Sequence, residues 1–130
     1  MGKINADISQ LKEGGFILID EAPCRIEKVT SSTSGKHGAR KFRVDALGLF
    51  DDRRRSILKP SGETVDVPIV EKKHAQVLSL MSESKAQLMD MEDFSVFDID
   101  IPEDRRGQLQ AGSEIDYFET MGIKTLRELK

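Results

Sequence analysis

The 130-residue chain has one cysteine, Cys24, and two histidines, His37 and His74. A lone cysteine excludes an internal disulfide, and these three residues cannot assemble a zinc set of Cys/His spacing. Long apolar runs are missing as well. Phe16-Ile17-Leu18-Ile19 falls far short of the roughly 20 residues that cross a bilayer as a helix. No apolar signal region occupies Met1–Asp7, so a cytoplasmic protein with no membrane partner is expected. No repeat stands out, and no spacing singles out a carboxylate pair or a Ser/His/Asp set.

What is present suits a globular protein: 38% of residues are hydrophobic and 33% charged. The net charge of −3 conceals an asymmetry. Residues 1–68 hold 12 Lys/Arg against 10 Asp/Glu, whereas residues 69–130 hold 8 against 13. From Lys28 to Val44 the chain carries Lys28, Lys36, Arg40, Lys41 and Arg43 with no acid among them. This local positive field fits either a phosphate or RNA footprint or a solvated hairpin whose basic edges discourage strand pairing.

The apolar pattern is mostly β. Gly14-Gly15 marks a turn before a strand over Phe16–Asp20. The runs Cys24–Thr30 and Lys41–Leu47 both alternate apolar and polar, the period of a half-buried strand. With the Ser/Gly-rich connection between them they form a long β-hairpin. Arg54–Leu58 and Thr64–Val67 add short strands. Pro68 divides the net-basic half from the net-acidic half, which places a boundary between domains 1–68 and 69–130. In the second half Ala75–Leu80, Ala86–Met91, Ser95–Ile101, Ile115–Glu119 and Ile123–Leu129 read as strands. A short helix is expected over Pro102–Leu109, with proline and acids in its first turn. A β-rich unit with one short helix is compatible with an OB-type barrel.

The hairpin tip holds the most informative residues: Thr33-Ser34-Gly35-Lys36-His37-Gly38-Ala39-Arg40. One lysine is bracketed by glycines, which remove side-chain bulk and open backbone angles closed to other residues. Lysine is a long, flexible arm with a compact charge, suited to reaching or to covalent modification. A phosphate-binding P-loop is excluded. Its register would need glycine where Thr30 stands and Ser/Thr where His37 stands, and no helix-forming run follows. Lys36 as an enzymic nucleophile would need burial or neighbouring charge to lower its pKa, and a polar glycine-flanked loop offers little burial. No carboxylate in the loop would orient His37 as a base.

Elsewhere, Cys24 reads as a small buried hydrophobe, His74 as part of an exposed strand start, and Arg53-Arg54-Arg55 as a solvated turn beside Asp51 and Asp52. Among the aromatics of the second half, Phe97 and Phe118 are expected in the core. Phe94 and Tyr117 offer stacking faces, but they lie among acids, so generic RNA binding by this half is weakly supported.

Ser32–Lys41, with its Gly35-Lys36-His37-Gly38 centre in a Ser/Thr-rich hairpin, resembles the modification loop of the translation initiation factor 5A family. Val65-Asp66-Val67-Pro68 resembles that family's interdomain segment, and the strand order extends the likeness over nearly the whole chain. Length and the short N-terminus are closer to the archaeal branch. The bacterial elongation factor P is a more distant relative with a third domain. Ala39-Arg40 departs from the eukaryotic pattern of histidine then alanine.

The resemblance implies two small barrels, an SH3-like one and then an OB-fold. It implies that Lys36 receives a 4-aminobutyl group from spermidine through deoxyhypusine synthase, with no cofactor and no metal, giving deoxyhypusine or hypusine. Thr33, Ser34, Gly35, His37 and Gly38 would form the modification loop. Arg40, Lys41 and Arg43 are candidate RNA contacts. The implied activity is non-enzymatic: binding near the ribosomal E site and steadying the acceptor end of the P-site tRNA, notably at proline-rich sequences. The residues by themselves leave open an unmodified RNA-binding module, and more remotely an amine-nucleophile enzyme.

Overall fold

A computed structural model describes residues 2–33 and 40–129. The chain divides into two units, one ending at Ile69 and one spanning Val70–Leu129. Both are built from antiparallel strands.

The first unit begins with β1 (Lys3–Asp7) and a single 3-10 turn over Ile8–Gln10. Asp7 caps that turn, its Oδ1 accepting from the Ser9 amide at 2.9 Å, while Gln10 Oε1 accepts from the Asp7 amide at 3.3 Å. Two orphan donors are thereby satisfied reciprocally. There follow β2 (Phe16–Ile19), β3 (Ala22–Thr33), β4 (Arg40–Gly48), β5 (Arg54–Pro60) and β6 (Thr64–Pro68). Strands β2-β3-β4-β5 form one sheet, and β6 pairs with β1. The sheet curls into a half-barrel of SH3-like type, and β6 packs beside β2. Ile8, Ile17, Cys24, Ile26, Val44 and Ala46 fill its core. Each aliphatic side chain of Val or Ile size that is fully buried contributes about 1.5–3 kcal/mol.

The second unit contains β7 (Glu71–Ser82), β8 (Lys85–Asp90), β9 (Val96–Asp100), β10 (Glu114–Thr120) and β11 (Ile123–Thr125). Their order is β11-β10-β7-β8-β9, and β11 comes round beside β9. This nearly closed barrel is the OB-fold, with its short helical element between β9 and β10. Val77, Leu88, Ile99, Leu109, Tyr117 and Leu126 are buried in it.

The helical element is shorter than the sequence suggests. It is one 3-10 turn, Glu103–Arg105, rather than a helix to Leu109. Arg106 is already extended, and Gly107 takes φ +80°, which turns the chain out of any helical path. The last expected strand is also cut to Ile123–Thr125. Two elements escape the apolar pattern, β1 and the start of β7. Both are mostly exposed and are held by pairing with distant strands.

Candidate functional site at the basic hairpin

The hairpin of β3 and β4 keeps its antiparallel register to its end: Thr30↔Arg43, Ser31↔Phe42, Ser32↔Lys41 and Thr33↔Arg40 are partners. Ser34, Gly35, Lys36, His37 and Gly38, the expected modification loop beyond Thr33, lie outside the described residues, as does Ala39. The stem therefore delivers the chain to and from that segment on two paired strands. β5 supports the stem from the other side, with Arg43↔Leu58 and Lys41↔Pro60 as partners.

A β-bulge decides which face each side chain takes. Pairing shifts between Ile26↔Ala46 and Lys28↔Asp45, leaving Glu27 as the extra residue. Cys24 and Ile26 point to the core before the bulge; after it Val29 packs there. A one-residue slip exchanges the two faces of a strand. Without the bulge Lys28 would be driven toward the core. The run Cys24–Thr30 is thus not one uninterrupted alternation, as its pattern first suggests.

The cations divide between the two faces. Arg40 follows Phe42 and Val44 on the core-side phase of β4, and its Nη1 donates to Ser31 Oγ at 3.0 Å. Lys41 and Arg43 stand on the outer phase. Arg43 Nε lies 3.1 Å from Asp45 Oδ1, and Ser56 Oγ donates to the same oxygen at 2.6 Å. Chiefly the Ser56 hydroxyl, and then Arg43, hold the Asp45 carboxyl below its usual range. Arg43 is accordingly steered and partly neutralised, although its side chain is 60% exposed. Lys41 is exposed and pairs with no acid among the described residues. This graded arrangement, neutralised at Asp45 and cationic toward the tip, suits contact with an anionic backbone.

The other sequence candidates resolve differently. Cys24 is buried, its thiol donating to the Ala22 carbonyl at 3.4 Å, and burial pushes its pKa up. Arg53-Arg54-Arg55 is not simply a solvated turn. Arg54 and Arg55 enter β5, and Arg55 forms two hydrogen bonds to Asp51 at 2.8 and 3.2 Å. That pair closes over Gly48, where a Cβ would lie 2.0 Å from Asp51 Oδ1. Asp51, held chiefly by Arg55, has its pKa lowered to about 2.

Tyr117 is no stacking platform. It is 1% exposed, and its hydroxyl donates to buried Asp90. Phe118 is buried and Phe97 packs on the core beside Tyr117, with ring centroids 5.0 Å apart. His74 lies within β7 rather than at its start, half exposed between two carboxylates. No group of His, Cys, Asp and Glu among the described residues is arranged to hold a metal ion. No helix among them is long and apolar enough to cross a membrane.

Residues 3–63 match the family described as Translation initiation factor 5A-like, N-terminal. Translation initiation factor 5A of Methanoregula boonei is 48% identical over 124 residues, covering 95% of this chain and 98% of that protein. Its counterpart in Archaeoglobus fulgidus is 40% identical over 127 residues, covering 98% of each. The solved structure of eukaryotic translation initiation factor 5A from Methanococcus jannaschii superposes with a TM-score of 0.84. It shares 32% identity and covers 95% of this chain and 91% of that one. With this agreement in sequence and in fold, the chain belongs to the translation initiation factor 5A family.

Proposed function

We propose that this translation factor binds the ribosome near the E site and works through a modified Lys36. The supporting observation is the stem. Two strands paired as far as Thr33↔Arg40 flank the six residues that contain Lys36, with Arg40 and Lys41 at their base. The stem that leads to and from this segment is long, and β5 supports it along β4.

In this reading deoxyhypusine synthase transfers a 4-aminobutyl group from spermidine to Lys36 Nζ. The carbon–nitrogen bond to spermidine's secondary nitrogen breaks, and the carbon bonds to Nζ, which gives up a proton. 1,3-Diaminopropane leaves with that proton. The arm gains length and a second amine, and both nitrogens can stay protonated. Gly35 and Gly38 leave the modifying enzyme access to the lysine, and Thr33, Ser34 and His37 complete the recognised segment. Arg40, Lys41 and Arg43 contact RNA phosphates at the base of the arm. The arm itself steadies the acceptor end of the P-site tRNA, notably when proline-rich sequences stall synthesis. The ribosome carries out the chemistry, and this protein acts in the cytoplasm as a positioning factor, not an enzyme. Holding two reacting groups in a productive orientation can remove up to about 7–11 kcal/mol of a barrier in the ideal limit.

The test is Lys36→Arg, which keeps a cation but cannot be aminobutylated by the same route. It should fold as the parent does and lose stimulation of peptide transfer on proline-rich messages. Full stimulation by that variant would defeat the modified-lysine reading. An unmodified RNA-binding module would instead retain its whole activity, with affinity falling about 0.7 log units per log unit of salt for each single-strand phosphate contacted.

A further inference from the structure

The outer face of the second barrel carries an apolar patch at the β8–β9 turn. Val96 pairs with Met89 across the two strands, on the side away from the core residues Leu88 and Ile99. Phe94 is 64% exposed and Val96 52%. Phe94 also takes φ +61°, a region that suits glycine or asparagine. An aromatic side chain is therefore presented to solvent at a position where local sterics disfavour any such residue.

The backbone beneath it is firmly fixed. Asp90 Oδ1 accepts from the Glu92 and Asp93 amides at 2.7 and 3.0 Å. The Phe94 amide donates to the Asp90 carbonyl at 3.0 Å, and Asp93 Oδ1 accepts from the Ser95 amide at 2.9 Å. Asp90 is itself anchored in the interior by Tyr117. An exposed aromatic on a pre-ordered turn loses little freedom on binding, which is the economy of an interface anchor.

Charge decides what kind of partner fits. From Met89 to Asp104 the sequence has seven acids and no Lys or Arg. Among the described residues no ion pair involves Glu92, Asp93 or Asp98. Asp98 shares the outer face of β9 with Val96. Glu92 and Asp93, which also line a cavity with Lys72, Lys73 and His74, complete an acidic rim in the turn beside Phe94. A nucleic-acid backbone would be repelled by this rim, whereas a polypeptide rich in Lys or Arg would complement it. We propose that the Met89–Phe94–Val96 face is a docking surface for a basic polypeptide segment that inserts an apolar side chain beside Phe94. This site is separate from the hairpin and does not depend on the state of Lys36.

The full chain, labelled with 15N, is titrated with the synthetic peptide (Lys-Leu)4, with (Glu-Leu)4 and with a uridine oligomer. The expected result is saturable shifts of the Met89, Phe94 and Val96 amides with (Lys-Leu)4 alone. Phe94→Gly relieves the backbone, so it should melt no lower than the parent yet weaken the peptide by at least about tenfold. Asp93→Asn with Asp98→Asn should weaken it similarly. The proposal is overturned by shifts confined to other residues, by undiminished binding to Phe94→Gly, by equal binding of (Glu-Leu)4, or by the RNA oligomer perturbing the same amides.

Discussion

His74 Nδ1 lies 2.8 Å from Asp116 Oδ1, its direct partner across the β7–β10 ladder. The other ring nitrogen is equally engaged, Nε2 being 2.8 Å from Glu114 Oε1. A neutral imidazole has one N–H and can donate to only one of them. The pair of contacts therefore belongs to the imidazolium, and the two carboxylates, Asp116 first, raise the His74 pKa above its usual value.

The sign of the pH dependence follows. His74 binds its proton more tightly in the folded chain, so its contribution is complete below about pH 6.5 and disappears as pH rises through the raised folded value. Replacing His74 by Gln should flatten the stability profile between about pH 6 and 8. A proton NMR titration of the His74 ring should give a midpoint above that of a model peptide, and Glu114→Gln should lower it. A midpoint at or below the model value would contradict the bridged geometry.

Tyr117 and Asp90 should behave as a unit. The Tyr117 hydroxyl is the first cause of the low Asp90 pKa, about 2, with the Asp93 and Glu92 amides adding to it. Tyr117→Phe removes a donor from a buried carboxylate and should cost about 1–3 kcal/mol in denaturant unfolding. The depressed Asp90 value gives stability present above about pH 4 and lost as pH falls toward 2. In the Tyr117→Phe variant acid unfolding should begin at higher pH.

Gly48 is required by what closes over it. Alanine there would place its Cβ 2.0 Å from Asp51 Oδ1 and 2.9 Å from Arg55 Nη1, so the Asp51–Arg55 pair must open. Gly48→Ala should destabilise by about 1–3 kcal/mol, and by much less in an Asp51→Gly background. Thermal melts of the four proteins in this cycle measure the coupling; simple additivity would disprove it.

The β2–β3 turn offers a stabilising change. Asp20 and Glu21, between the paired residues Ile19 and Ala22, take φ +53° and +66°. This is the two-residue hairpin geometry that Asn-Gly or Asp-Gly adopts without strain. Glu21→Gly should therefore raise stability by about 1 kcal/mol, read as an upward shift of the melting midpoint.

Much of this fold is visible in local sequence. Lys41–Leu47 alternates because β4 buries one face. Ala86 and Leu88 keep the same phase in β8, although the next inward position there is the buried acid Asp90. β1 has little apolar signal. Its place is set by residues some sixty positions away, with Asn5 Nδ2 donating to Asp66 at 3.0 Å. The start of β7 is charged and reads as loop, yet Lys73 meets Glu119 at 2.9 Å across the sheet. The Glu27 bulge leaves one trace, the adjacent polar residues Glu27 and Lys28, after which the apolar phase moves from Cys24 and Ile26 to Val29. At the candidate site the Gly-Lys-His-Gly segment and its basic flanks are legible as a motif. Strand alternation already separates Arg40 from Lys41 and Arg43, whereas the Arg40–Ser31 contact depends on cross-strand register and is not legible there.

The central claim concerns one side chain, and mass spectrometry of the protein purified from its native source tests it most directly. Peptide mapping should find Lys36 carrying a single 4-aminobutyl addition, with or without a further hydroxyl, and every other lysine unmodified. A fully unmodified Lys36 would contradict the account.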